Sequence, residues 1–225
     1  TLRHLMGHRA GIVRESPVGH YFDASAPGLD ATVQSLNDTA LVYAPGRAFK
    51  YSNPGVGVVG AVVAKVTKKR FEDAVQELVL GPLGLTHSSF DPAPELLAQQ
   101  AHGVMWTYDG RAIPTPGFPF GYAPAANLRS TVGDLVKFAG SWFADAKTSV
   151  LTPDSLQQMF TVQFAPPGAR EGCGLGFFVS DFDGHRKVEH GGAVYGFAST
   201  LAALPDDKLA VAVVTTVDFA NDVSD

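Results

Sequence analysis

Apolar residues recur at helical spacing through the earlier part of the chain and gather into β-branched and aromatic runs towards its end. Leu2, Leu5 and Met6 share one face, which predicts a short helix over Thr1 to His8, capped by Thr1 and ended by Gly11. A second helix is predicted over Thr32 to Leu41, closed by the turn Ala44-Pro45-Gly46. Gly55 to Thr67 continues apolar at helical spacing, and Phe71 to Val79 is amphipathic with its acids on the solvent side. Gly81 to Leu85 reads as a turn, and Asp91 to Ala126, rich in Pro, Gly and Ala, as a long surface loop with short strands. Ser130-Thr131-x-x-Asp134 has the form of a capping box opening a helix over Val132 to Phe143, and Thr152-Pro153 opens another over Asp154 to Phe160. From Gly174 the runs GLGFFVSD, VEHGG, FASTLAALP and LAVAVVTTVD are separated by turns at Asp183-Gly184 and Pro205-Asp206-Asp207, which is hairpin spacing. Helices first and antiparallel strands last predict an α+β fold, with a helical part over about 1–165 and a sheet over about 172–220.

Charge and composition narrow the function classes. The net charge is −5 over 225 residues, and the densest basic run, Lys65 to Arg70, is interrupted by Val66 and Thr67. Such a chain offers no footprint for nucleic acid or an anionic membrane. No stretch has the roughly 18 apolar residues of a membrane span, since Val56 to Ala64 stops at Lys65. Cys173 is the only cysteine, which excludes an intramolecular disulfide and a cysteine-based metal site and suits the cytoplasm and the periplasm equally. The opening TLRHLMGH, without a Met or a signal peptide, reads as a helix already under way and so predicts a piece of a longer protein.

Several patterns compete as sites. Gly55, Gly57 and Gly60 fit G-x-G-x-x-G, but a dinucleotide turn needs a buried strand running into the first glycine. What precedes Gly55 is polar and ends in Pro54, so the glycines read as small residues that let a helix pack closely. His4 and His8, four apart, share a helical face as in zinc hydrolases, yet Leu5 stands where the catalytic Glu belongs and no third ligand is evident, so no metal is expected. His190-Gly191-Gly192 resembles the oxyanion loop of lipase-like hydrolases, but the chain has no G-x-S-x-G. What remains is Tyr51-x-Asn53 taken together with His190-x-Gly192.

With that pair in view the sequence resembles the serine β-lactamase and penicillin-binding-protein superfamily, in its class C-like branch of DD-carboxypeptidases and family VIII esterases. TLRHLMGHRAGI is similar to the segment after that family's catalytic helix, and PGRAFKYSNPGVGVVGAVV to its second motif. GPLGLTHSSF is similar to a family turn, NLRSTVGDLVKFA to the helix after its loop region, and HGGAVYGFAST to its third motif and the strand beyond. The resemblance implies a class C β-lactamase-like fold and acyl transfer through a serine, with no metal or organic cofactor. Its substrates would be small esters, amides or D-amino-acid peptides. It casts Tyr51 as a proton shuttle, Asn53 as a holder of the substrate carbonyl and of a neighbouring Lys, and His190 as the start of the substrate-binding strand. Gly191 and Gly192 would let the substrate backbone approach, and the N–H of Ala193 would supply one oxyanion donor. It also favours a periplasmic or extracellular setting.

Two departures qualify the resemblance. Where many members carry Lys at the head of the third motif, this chain has His190, and a largely neutral imidazole grips a carboxylate less firmly than a fixed ammonium. That predicts an esterase, amidase or D-amino-acid peptidase in preference to an efficient β-lactamase. The family's first motif, S-x-x-K, is missing: no serine here has Lys three residues on. Family order places that motif ahead of TLRHL, so the expectation is a domain without its N-terminal strands and nucleophile helix, inert by itself. The alternative is a non-catalytic binding or regulatory module that keeps the pocket.

Overall fold

The computed structural model describes residues 1–143, 145–217 and 220–224, with nothing said of the side chains of 223 and 224. Helix α1 (Leu2–Met6) starts at Thr1, whose hydroxyl accepts from the His4 backbone N–H at 3.3 Å, and its last turn closes at Gly7, short of the expected His8. Helix α2 (Leu29–Gln34) begins earlier than the expected Thr32, because Gly28 supplies an extended N-cap, and it tightens into a 3₁₀ turn over Ser35–Asp38 that ends it before Leu41. Helix α3 (Asn53–Thr67) carries Pro54 in its first turn and ends at Lys68 in the left-handed region.

The glycines of α3 have a packing purpose. A Cβ on Gly60 would lie 2.0 Å from the Pro124 ring, and one on Gly57 would meet the Tyr122 side chain at 3.4 Å. The 3₁₀ turn Ala123–Ala125 is therefore pressed against a helix face that only small residues allow. No strand leads into Gly55, so these glycines are helix interior and hold no phosphate turn.

The expected helix from Phe71 to Val79 divides into α4 (Phe71–Val75) and a π turn over Gln76–Leu80, in which Gly81 N–H reaches Gln76 O at 2.9 Å. The extra residue brings Leu80, Leu83 and Leu85 into one buried cluster beneath Phe138. The long loop contains helix α5 (Pro94–Leu97) and a small hairpin of β1 (Val104–Trp106) and β2 (Ala112–Pro114). Helix α6 (Val132–Gly140) is capped by Thr131, whose hydroxyl accepts from Asp134 N–H at 3.2 Å. The capping box is only half formed: the Asp134 carboxylate turns away, accepting from His87 N–H at 2.8 Å and from the Ser88 hydroxyl at 2.9 Å. Helix α7 (Pro153–Met159) follows.

The strands β3 (Gly172–Cys173), β4 (Phe178–Phe182), β5 (His185–Val194), β6 (Phe197–Leu204) and β7 (Leu209–Thr215) form one antiparallel sheet in chain order, and α8 (Asn221–Ser224) follows them. Of the expected sheet region, 218 and 219 lie outside the described residues. The main core joins α6 and α7 to one sheet face through Trp142, Phe160, Phe177, Val179, Val188 and Ala203. Each large side chain buried there contributes about 1.5–3 kcal/mol.

Along 209–215, β7 pairs only with β6 among the described residues, and Leu209, Val211 and Val214 are 52%, 53% and 43% exposed. An unpaired edge bearing apolar side chains is a template for self-association. Val211→Lys should lower light scattering of the concentrated chain while changing unfolding stability by no more than about 0.5 kcal/mol. Unchanged scattering would place the association elsewhere.

Candidate active site

The site begins with a crossing of two chain segments. Residues 8–15 run beside residues 50–53, tied by Lys50 N–H to His8 O at 2.8 Å and Asn53 N–H to Arg14 O at 3.1 Å. Between them Ser52 is buried, with its N–H on His8 Nδ1 at 3.2 Å and its hydroxyl donating to Val13 O at 2.7 Å. The same oxygen caps α3 by accepting from Gly55 N–H at 2.9 Å. Tyr51 and Asn53, on either side of this fixed residue, are thereby held at the start of α3.

The other wall is β5. Its ladder with β4 ends at the pair Phe178–Glu189, whereas its ladder with β6 continues from Val188 to Val194. Among the described residues, His190, Gly191, Gly192 and Ala193 therefore have a strand on one side only, and the three residues after His190 are exposed. Tyr21 reaches the same stretch, its hydroxyl donating to Ala193 O at 2.6 Å.

Tyr51 and His190, far apart in sequence, face each other with ring centroids 6.3 Å apart. They belong to a closed circuit of five rings. His8 lies 4.3 Å from Tyr51, Phe178 lies 5.6 Å from His190, and Phe49 joins Phe178 at 6.3 Å and His8 at 5.8 Å. The structure thus brings Tyr51 to His190 at the head of the one-sided stretch of β5, while Asn53 lies against Glu15. A separate cavity of about 230 Å³, lined by Phe160, Arg170, Val179 and Arg186 among others, includes none of them.

Hydrogen-bond partners fix both imidazole tautomers. His8 Nδ1 accepts from Ser52 N–H, so its proton sits on Nε2. His190 Nδ1 lies 2.6 Å from Gly191 O, a pure acceptor, so there the proton sits on Nδ1 and Nε2 is left for other partners. Burial, helped by the nearby His190, holds the His8 pKa down at about 4, keeping it a neutral stacking surface for Tyr51. Burial also raises the Tyr51 phenol above its ordinary value; the Arg14 guanidinium, 5.2 Å from its ring centre, pulls it down, while Glu15 pushes it further up. Among the described residues, then, Tyr51 is held as a neutral phenol.

Reasoning from sequence missed Glu15, Tyr122 and the true place of His8. Glu15 Oε1 accepts from Asn53 Nδ2 at 2.9 Å and its Oε2 from the Tyr122 hydroxyl at 2.7 Å. A charged Arg14-Glu15 pair directly after the apolar Gly11-Ile12-Val13 was the available signal. The two histidines once paired as possible zinc ligands part company: His4 stacks on Phe164 at 4.6 Å and His8 on Tyr51. No group of three His, Cys, Asp or Glu gathers for a metal among the described residues.

The low His8 pKa makes stability pH-dependent with a definite sign. Below about 6.5 the unfolded chain takes up a proton at this position that the folded chain refuses until about 4. Stability is therefore lost as pH falls through that window, by up to about 3 kcal/mol from this group. His8→Asn, which tolerates the left-handed backbone there (φ 52°) and can still accept from Ser52, should show a flatter urea-unfolding stability between pH 6.5 and 4 than the native chain. Parallel profiles would show that His8 does not titrate on unfolding.

Comparison with known proteins gives the family and the fold. The sequence matches the family described as Beta-lactamase over residues 1–225. It is 29% identical over 183 residues to the human "Putative beta-lactamase-like 1", covering 80% of this chain and 36% of that protein. It is 25% identical to "Penicillin-binding protein 4" of Amycolatopsis lactamdurans, covering 96% of this chain and 59% of the relative. Among solved structures, the octameric penicillin-binding protein homologue from Pyrococcus abyssi superposes with a TM-score of 0.83 at 25% identity, over 96% of this chain and 52% of that one. A D-stereospecific amidohydrolase from Streptomyces sp. shares the fold with a TM-score of 0.73 at 22% identity, over 97% and 68% of the two chains. The chain thus spans between about a third and three fifths of the length of these two curated relatives. With an α+β architecture of helices on an antiparallel sheet and a family match over its whole length, this chain belongs to the beta-lactamase family, in the superfamily of serine hydrolases and penicillin-binding proteins.

Proposed function

We propose that the trough between the start of α3 and the His190–Ala193 stretch of β5 is the substrate-binding half of an acyl-transfer site, working through an acyl-serine in a longer protein. The observation that carries this reading is the meeting of Tyr51 with His190 beside a strand segment open on one side. An extended substrate can lie along that open edge, where the exposed glycines permit close approach of its backbone. Ala193 would place one oxyanion donor there, with the nucleophile's own N–H as the other. Tyr51 would pass the proton from serine to the leaving group, and Asn53 would fix the surrounding cation.

The substrate class proposed is a small ester, amide or D-amino-acid peptide. His190 offers no fixed positive charge, which disfavours tight capture of the carboxylate of a β-lactam. A second reading, a penicillin-binding-like module that binds without turning over, is favoured by one fact: no serine of this chain has Lys three residues on.

Two assays separate the readings. The chain by itself should not hydrolyse nitrophenyl esters or a chromogenic cephalosporin; turnover abolished by a serine substitution within 1–225 would overturn the assignment. In a longer protein carrying Ser-x-x-Lys ahead of Thr1, Tyr51→Phe should lower kcat by roughly two to four orders of magnitude, the scale of a lost general acid–base. His190→Ala should act chiefly on KM. A Tyr51→Phe enzyme within a few-fold of the native kcat would remove Tyr51 from the proton path.

A further inference from the structure

Two hairpins fix which way each residue of β5 turns its backbone. Phe182 and His185 close the two-residue turn Asp183-Gly184, and Val194 and Phe197 close Tyr195-Gly196. The pair that closes a two-residue turn exchanges both of its hydrogen bonds, and along the ladder such pairs alternate with unbonded ones. Counting from either turn gives the same answer: Val188, His190, Gly192 and Val194 bond towards β6, whereas Glu189, Gly191 and Ala193 turn N–H and C=O to the β4 side. The β4 ladder stops at Glu189, so Gly191 and Ala193 present both groups to the open edge.

The two carbonyls of that edge are already taken. Gly191 O accepts from His190 Nδ1 at 2.6 Å, and Ala193 O accepts from the Tyr21 hydroxyl at 2.6 Å. The N–H groups of Gly191 and Ala193 meet no acceptor among the described residues. Tyr21 is firmly placed for its part. Its ring packs on Phe120 at 4.7 Å and on Tyr195 at 5.9 Å. Its loop is turned by the Asp23 carboxylate, which accepts from Gly19 N–H at 2.7 Å, and is tied down by Gly121 N–H on Gly19 O at 2.9 Å. Burial first, then Glu15 and Tyr51, raises the Tyr21 phenol against the pull of Arg14, so the hydroxyl keeps the proton that it donates.

We propose that Tyr21 is a specificity-determining residue: with its hydroxyl on Ala193 O and the His190 ring on Gly191 O, the open edge of β5 can only donate, and the site takes an acyl chain that only accepts, an ester-linked one in preference to a peptide or acylamino one. A carbonyl oxygen of an extended substrate meets an unused N–H there. A substrate N–H aimed at the same edge finds both acceptors occupied and gives up its bond to water without replacement. The inference rests on the reading of the trough as the substrate site and narrows its substrate class.

In ¹³C spectra of the full chain, the Ala193 carbonyl carbon should move upfield in Tyr21→Phe, which keeps the ring packing and removes the donor. A carbonyl indifferent to that change would overturn the capping. For binding titrations the probes are two methyl esters of one shape: phenylacetylglycine methyl ester, which carries an N–H, and methyl (phenylacetoxy)acetate, which has oxygen in its place. The native chain should bind the oxygen member at least as tightly as the amide. In Tyr21→Phe the freed Ala193 O accepts the N–H, so the ratio of affinities should swing towards the amide by at least about fivefold, the scale of one hydrogen bond. A Tyr21 that merely props its loop would shift both probes alike. An unchanged ratio, or a native chain that already prefers the amide by that factor, would overturn the selectivity and leave the trough standing as a substrate site. Binding of neither probe by either chain would discard the trough, and the selectivity with it.

Discussion

Ser52 makes three hydrogen bonds, and the candidate site depends on all of them. Its N–H goes to His8, its O–H to Val13, and its lone pair to Gly55 at the start of α3. One small buried residue therefore ends an extended segment, caps the longest helix and pins both to the 8–15 segment. Each bond made in burial contributes only about 1 kcal/mol, but leaving any of these groups unpaired there costs about 1–3 kcal/mol. That asymmetry makes the geometry sharp. Because the neighbours of Ser52 are Tyr51 and Asn53, the precision is passed to the ring that faces His190 of β5 and to the amide held by Glu15.

The same economy explains the glycines of α3. A helix with Gly55, Gly57 and Gly60 gives up some intrinsic stability, roughly 0.5–1 kcal/mol per glycine relative to Ala. In return the 3₁₀ turn at Ala123–Ala125 approaches closely enough for Tyr122 to reach Glu15 behind Asn53. Alanine at position 60 would drive its methyl into Pro124 and push that turn, with Tyr122, away from the site. Packing and site geometry here are one constraint, although G-x-G-x-x-G by itself points to a nucleotide.

How much of this was legible depended on whether the signal was local. The caps at Thr1 and Thr131, the order of helices before strands and the hairpin turns at Asp183-Gly184 and Pro205 could be read from neighbouring residues, and the structure has them. The end of α2, the π turn after Val75 and the half-formed capping box could not, because tertiary partners decide them: Asp134 is drawn off by His87 and Ser88. For the site, motif types named Tyr51, Asn53 and His190; the rings of Tyr51 and His190 lie 6.3 Å apart, and Asn53 lies against Glu15. Glu15, Tyr122 and the stacking of His8 were hidden because each acts across a long stretch of chain, and nothing near Tyr122 marks it as a partner of Glu15.

The electrostatics around Tyr51 show what the trough still requires for chemistry. Burial opposes its ionisation, Glu15 and Cys173 oppose it further, and Arg14 favours it without prevailing. Arg14 lies over the ring, 5.2 Å from its centre, where it meets the π cloud. A neutral phenol is a competent proton donor to a leaving group but a poor base, so the proposed transfer from serine calls for a cation near its oxygen. Asn53 gives an N–H to Glu15 Oε1 at 2.9 Å, and the other oxygen of that carboxylate takes the Tyr122 hydroxyl. The two side chains flanking Ser52 thus answer to one neighbouring pair: Arg14 lies over the Tyr51 ring, and Glu15 holds the Asn53 amide.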